Sequence, residues 1–385
     1  MKIKLHFLLL IFLTTIYSCK FESKSSLSSI PKTDSDLSTL INDDSCKSNL
    51  KQPQTINLEM PVQEANAAKL DLDQIPKIVS STFAGEKNAW FITDFDRKIF
   101  HSADCGGTWK EIQTNSDEKP QAIYFIDSKK GWLLTSGILA GSILHTQDGG
   151  ESWLKIGQID YGLANEMFFA NDKKGLIFGY FSYWQTDDGG KTWTEIHSEK
   201  KYDGQPNDIE SLDQYVDLIM AAKFDKKNDK KNTDIRDSLK KEISLYKEKV
   251  IDIDFLNREN IAIVRNYGIS FTKNGGETWQ EALISNKGGK IYFSSVDLID
   301  ETKGWIAGYA VDEENVSRKY GQSVALKTED GWQTWQIVFK ADNEPFFTNI
   351  KFVDESKGWI VGRDGIYRTN DGGTNWYSVL KLNFE

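Results

Sequence analysis

One eight-residue pattern, S/T-x-D/N-x-G-x-T/S-W with one slip allowed, returns six times and sharply limits what this chain can fold into. The copies run Ser102 to Trp109, Thr146 to Trp153, Thr186 to Trp193, Thr272 to Trp279, Thr328 to Trp335 and Thr369 to Trp376. Their closing tryptophans are separated by 44, 40, 86, 56 and 41 positions, so two of the intervals carry insertions. A unit of about 40 residues, built from short strands and glycine turns, is the signature of a propeller blade.

A second element precedes each box. It is a polar turn followed by an apolar strand, as in Asp127 to Trp132, Asp172 to Leu176, Glu301 to Trp305 and Glu355 to Trp359, with Glu86 to Trp90 and the divergent Asn257 to Asn260 completing the set. In the second repeat this gives strand A (Ala122 to Ile126), strand B (Trp132 to Thr135), strand C (Ser142 to His145) and strand D (Trp153 to Ile156). Four antiparallel strands make one blade. The expectation is an all-β propeller of six blades over residues 55–385, with a degenerate seventh blade as the alternative, drawn from residues 197–249 or 50–75.

The box residues have a mechanical role. Asp104, Asp148, Asp188, Asn274, Asp330 and Asp371 each place a short polar side chain where it can accept the backbone N–H groups of its own turn, and glycine supplies positive φ. Trp109, Trp153, Trp193, Trp279, Trp335 and Trp376 cover those turns, while Trp90, Trp132, Trp305 and Trp359 open strand B. Ten of the 12 tryptophans are thus scaffold, leaving Trp184 and Trp332 without an assignment. No catalytic role is expected for any of these residues.

The repeat resembles the BNR or Asp-box repeat of sialidase-like and sortilin-type propellers. Gly358-Trp359-Ile360-Val361-Gly362, followed by Thr369 to Trp376, is most similar to propellers related to the photosystem II assembly/stability factor. The resemblance covers residues 77–385 without the large insertion. It implies a binding scaffold, used in photosynthetic relatives as an assembly chaperone with an Arg-rich face. This chain departs from that face: its net charge is −10, and only 7 of its 47 basic residues are arginines.

The large insertion spans residues 197–249. Ile235, Leu239, Ile243, Tyr246 and Val250 share one helical face, and Leu212, Tyr215, Val216 and Ile219 another, separated by the Lys- and Asp-rich stretch 224–233. Two amphipathic helices are expected. In a meander A-B-C-D the A–B and C–D turns share one face and the B–C and D–A connections the other. By that parity the helical insertion, a D–A connection, and the loop Asp312 to Gln322, a B–C connection, lie opposite the boxes. That face is the expected binding surface for a protein or peptide.

Residues 1–18 read as a signal peptide, with Lys2 and Lys4 ahead of the apolar run Leu5 to Ile16. Ile16-Tyr17-Ser18-Cys19 resembles a lipobox, so Cys19 is the expected lipidation site and the bacterial cell envelope, periplasmic or surface, the expected location. Residues 19–54 form a Ser-, Asp- and Lys-rich tether. Removing residues 1–18 deletes two cations and takes the net charge to −12, which argues against a nucleic-acid partner.

Other chemistry is sparse. A sialidase would need an arginine triad and an Arg-Ile-Pro motif, but Gln74-Ile75-Pro76 stands there, and Arg97, Arg258, Arg265, Arg318, Arg363 and Arg368 show no matching pattern. A glycan ligand, or a two-carboxylate glycosidase, is the runner-up reading. His101 and His145 occupy equivalent strand positions and form no metal-like cluster, and no cofactor motif is present. Cys46 and Cys105 can pair in an oxidising compartment or remain apart.

Overall fold

The computed structural model describes residues 54–58 and 77–384, apart from 95–96, 138–139, 161–163, 180–181, 198–229 (of which Val216 and Met220 are described), 247–249, 286–288, 313–321, 342–345 and 364. The lipobox with Cys19, the tether with Cys46, and most of both long insertions lie outside those residues.

Strand β1 (Gln54–Leu58) precedes six sheets arranged as blades. Blade one holds β2 (Ile78–Ala84), β3 (Asn88–Thr93), β4 (Ile99–Ser102) and β5 (Lys110–Ile112). Blade two holds β6 (Lys119–Phe125), β7 (Gly131–Ser136), β8 (Ala140–Thr146) and β9 (Leu154–Asp160). Blade three follows with β10 (Ala164–Phe169), β11 (Gly175–Gly179), β12 (Ser182–Thr186) and β13 (Thr194–His197). After helix α1 (Lys230–Ser244) come β14 (Val250–Phe255), β15 (Ile261–Arg265), β16 (Ile269–Thr272) and β17 (Gln280–Glu281) of blade four. Strand β18 (Leu283–Ser285) leads to blade five, with β19 (Gly289–Leu298), β20 (Gly304–Asp312), β21 (Gln322–Thr328) and β22 (Thr334–Ala341). Blade six closes the chain with β23 (Phe347–Phe352), β24 (Gly358–Gly362), β25 (Gly365–Thr369) and β26 (Tyr377–Phe384).

Six buried apolar clusters join consecutive blades, and one of them closes the ring. Phe91, Phe100 and Trp109 of blade one pack with Trp359, Val361 and Val379 of blade six. The ring therefore closes with six blades. Residues Gln54–Leu58 instead add to blade six as an outer fifth strand, β1 pairing parallel with β26.

Three expectations need correction. Strand D of blade four does not run unbroken from Trp279 to Ile284: β17 stays in blade four, and β18 crosses to pair in parallel with β22 of blade five. The polar stretch 224–233 is not all linker, because α1 begins at Lys230. Nor does α1 lie on the face opposite the boxes. Lys231 pairs with Glu259 in the A–B turn of blade four at 2.8 Å, and Ser238 donates to the Gly276 carbonyl of its box. Ile235, Leu239 and Ile243 fill the groove between blades three and four, beside the helical residues Val216 and Met220. Strand parity fixes where a connection starts and ends, but apolar burial decides where its middle packs.

Candidate functional site

The boxes form with one geometry. In each, the Ser or Thr hydroxyl donates to the Asx side chain two residues on, at 2.7–3.0 Å. That side chain accepts the backbone N–H four residues on, at 2.8–3.0 Å. Asn274 reverses only the outer bond, its amide donating to the Thr278 hydroxyl at 2.9 Å. Hydrogen bonds from Ser152 first, then Thr146, draw the Asp148 carboxyl down to about 2. Asp188 also falls to about 2, since bonds from Thr192 and Thr186 outweigh the upward push of burial.

Strand B tryptophans reach across to the next blade. Trp132 lies 3.8 Å from Phe169, ring to ring, and donates to the Gly189 carbonyl in the next box at 2.8 Å. Glycine before this tryptophan is required, because a Cβ on Gly131 would meet the Phe125 ring at 2.6 Å. The two unassigned tryptophans are core residues. Trp184 is 3 % exposed on β12; Trp332 is fully buried and replaces a box glycine at φ 72°.

The innermost strands line a central channel of about 560 Å³. A bulge early in strand A of every blade re-aims the following side chain toward the axis. Two stacked rings result, Ser80, Glu166, Asp252, Ser295 and Asn349, then Tyr124, Phe168, Asp254, Asp297 and Lys351; Ala122, at the matching position of blade two, is buried in the core against blade three instead.

Many of these side chains tie one blade to the next. Ser80 and Thr82 accept the N–H groups of Ile123 and Phe125 at 3.1 and 3.2 Å. Asp252 and Asp254 accept those of Val296 and Leu298 at 2.9 and 2.8 Å. Asp297 accepts the Phe352 N–H at 2.5 Å and pairs with Lys351. Tyr124 and Phe168 meet edge to face at 5.4 Å between blades two and three.

Burial pushes the Asp252 carboxyl up to about 6. Against burial, Asp297 and Asp254 hold the Lys351 ammonium protonated well above its ordinary range. Asp252, Asp254 and Asp297 thus all accept backbone hydrogen bonds between blades. This is the arrangement of a structural hub rather than of a free acid/base pair.

Among the described residues, no group of three His, Cys, Asp or Glu side chains is placed to hold a metal. His101 stacks on Trp90 at 4.4 Å, and burial draws its pKa down to about 4; His145 lies 5.0 Å from Trp132. Cys105 is disulfide-bonded. Cys46, the partner expected from the sequence, lies outside the described residues. Sequence reasoning missed the channel rings, because the bulges that create them leave no motif.

The profile of the family described as photosynthesis system II assembly factor YCF48 matches residues 101–224. The chloroplast photosystem II stability/assembly factor HCF136 of Arabidopsis thaliana is 22 % identical over 305 residues, covering 73 % of this chain and 72 % of its own length. Among solved structures, YCF48 bound to D1 peptide superposes with a TM-score of 0.49 at 17 % identity, over 77 % of this chain and 93 % of that one. The GH74 enzyme of Niastella koreensis gives 0.40 at 12 % identity, over 78 % of this chain and 46 % of its own. The matched family and the curated relative are assembly factors, in keeping with a non-catalytic chain. This chain is a six-bladed Asp-box β-propeller similar to the photosystem II assembly factors.

Proposed function

We propose that this chain is a non-catalytic propeller, anchored in a bacterial envelope through lipidated Cys19, that holds a protein or peptide partner and assists assembly or stability of an envelope complex. The observation that carries the reading is the match over 305 residues to a protein named as a stability/assembly factor. What transfers is the class of role. Photosystem II itself belongs to the relative, and the Arg-poor composition here suits a different partner. The inter-blade bonding of the channel carboxylates supports a scaffold. Strand ends and B–C loops opposite the boxes supply the docking face, since loops on a rigid frame are where recognition concentrates.

Cross-linking and recovery of the full chain from cells tests the partner, and palmitate labelling with membrane fractionation tests the anchor. A specific protein should be recovered, and Cys19→Ser should abolish both labelling and membrane retention. Turnover of a glycoside panel by the purified chain would sink the non-catalytic reading. Excising the whole insertion is a poor probe of binding, because α1 completes the core between blades three and four.

A further inference from the structure

Three of the six blades end in a long outer strand, and among the described residues two of those edges carry a further strand. Strands β9, β22 and β26 hold seven, eight and eight residues, against three, four and two in β5, β13 and β17. Each long strand is also bulged at one place, three residues past its box tryptophan. Ile156, Val338 and Val379 stand unopposed there in the pairing with β8, β21 and β25, and each packs into the groove toward the next blade. The three short strands pair without a register shift.

The edge of β22 takes β18 and the edge of β26 takes β1, both in parallel. Strand β9 closes a four-stranded sheet, and among the described residues nothing pairs with its outer edge. An edge lysine and a bulge commonly guard against stray pairing. They do not account for the bare edge here, because β22 and β26 carry both, with Lys340 and Lys381, and are covered all the same.

We propose that β9 is a docking edge whose occupant is an extended, basic segment of a partner protein, added in parallel over residues 157–160. The proposal rests on the protein-binding reading above and names the place and chemistry of one contact. Strand D runs away from its box, so residues 157–160 end on the face opposite the boxes and continue the docking face. The edge is also fixed in advance: a Cβ on Gly157 would run into the Gly190 carbonyl, so this part of β9 is seated on the box turn of blade three. Adding a segment therefore orders only the segment.

The covered edge of blade six supplies the register. Counted from the box tryptophan, Gly157, Gln158, Ile159 and Asp160 stand where Leu380, Lys381, Leu382 and Asn383 stand in β26. Those four pair with Gln54, Thr55, Ile56 and Asn57 of β1. Ile159 and Leu382 are both buried, so the residue beside Ile159 is apolar, as Ile56 is beside Leu382. Asp160 is exposed and replaces the neutral Asn383, so Lys or Arg in the place of Asn57 complements it. Main-chain bonds supply the affinity and these two side chains the selection. A second copy of this chain suits the edge less, because a net charge of −10 on each copy opposes self-association.

A labelled peptide with Gln-Thr-Ile-Lys-Leu between Gly-Ser flanks, titrated into the purified full chain and read by fluorescence anisotropy, tests this. It should bind, and the same peptide with Glu in place of Lys should bind several-fold more weakly. Asp160→Lys should invert that order at an unchanged melting temperature, since Asp160 is exposed. N-methylation separates strand addition from charge attraction, because alternate residues of a strand turn their N–H groups to the same neighbour. Methylating Ile alone, or Thr and Lys together, should abolish binding in one peptide and spare it in the other. Amide exchange should slow across residues 157–160 when the peptide is added.

Equal binding of the two methylated peptides, an unchanged preference for Lys over Glu in Asp160→Lys, or protection that falls on residues 380–384 instead would each overturn the proposal. So would protection of residues 157–160 that grows with protein concentration in the absence of peptide, which assigns the edge to a second copy. No peptide binding by a chain that still cross-links a protein partner overturns the docking edge and leaves the protein-binding reading standing.

Discussion

Trp132 of blade two donates its indole N–H to the Gly189 carbonyl of blade three at 2.8 Å while its ring stacks on Phe169 of that same blade. Trp90 with Gly149 and Trp305 with Gly372 repeat the relationship, each at 3.0 Å. The box is thus a hydrogen-bond acceptor for its neighbour as well as a turn.

Replacing Trp132 separates the two contributions. Trp132→Phe retains much of the stack and strands a half-buried carbonyl, so a loss of about 0.5–1.5 kcal/mol is expected. Trp132→Ala also opens a cavity and should cost about 3–5 kcal/mol. Urea unfolding followed by far-UV circular dichroism reads both. A Phe variant as stable as the parent would show that the indole bond contributes nothing.

Blade three lacks this latch, because Leu176 stands where the tryptophan would be, and α1 occupies the groove instead. Ser238 donates to the Gly276 carbonyl and accepts from the Trp279 indole at 2.9 Å. Ser238→Ala should cost about 1–3 kcal/mol and speed amide exchange across Lys230–Ser244. In a chain with residues 198–246 replaced by a short linker, Leu176→Trp should recover part of the lost stability. If it recovers none, the helix is not a substitute for the missing ring.

The parts of this fold legible in the sequence are those fixed by local chemistry. Box turns need Asp or Asn, Gly and Trp at set offsets, and four of the six blades mark strand B with a tryptophan, so blades, strand order and most tryptophans follow from spacing alone. Three features depended on partners distant in the chain. Leu283 to Ser285 left blade four because an outer edge of blade five was open to it. The apolar stripe of Ile235, Leu239 and Ile243 announced a helix but not the groove it fills. Tyr267, Tyr292, Tyr309 and Phe346 have no common spacing, and only the packing of blades four, five and six brings their rings together.

Stability against pH should fall on both sides of a maximum near pH 4–5. Asp148 and Asp188, held at about 2 in the fold, contribute stability that is present above the unfolded carboxyl pKa of about 3.9 and lost as pH falls toward 2. Asp252 works in the opposite sense. With its folded pKa raised to about 6, its contribution is full below about pH 4 and is lost as pH rises through 6, by about 3 kcal/mol. Urea midpoints at unit pH steps from 3 to 7 would show both limbs. Asp252→Asn should make the upper one shallower, the remainder coming from Asp297, whose carboxyl burial also raises, and leave the acid limb in place. Asp148→Asn should weaken the acid limb and still fold, since Asn274 already serves in the box of blade four. An unchanged slope between pH 4 and 6 in Asp252→Asn would refute the assignment.

Cys105 holds a left-handed backbone, φ 65°, at the box position where the other five blades place Gly149, Gly189, Gly275, Gly331 and Gly372 with φ between 69° and 80°. A side chain there costs about 1 kcal/mol relative to glycine. A reduced Cys105 would carry that strain with no return, whereas a disulfide removes conformational freedom from the unfolded chain, worth about 2–4 kcal/mol. Cys105→Gly should therefore match or slightly exceed the parent in stability under reducing conditions and fall below it under oxidising ones. We propose Cys46 as the partner. Because β1 runs parallel to β26, its first residue, Gln54, stands at the box end of that strand, on the side where the box of blade one packs against blade six. Mass spectrometry of the unreduced digest should find the Cys46 and Cys105 peptides joined. A Cys105→Gly variant less stable than the parent in both redox conditions would show that the residue is kept for packing rather than for its bond.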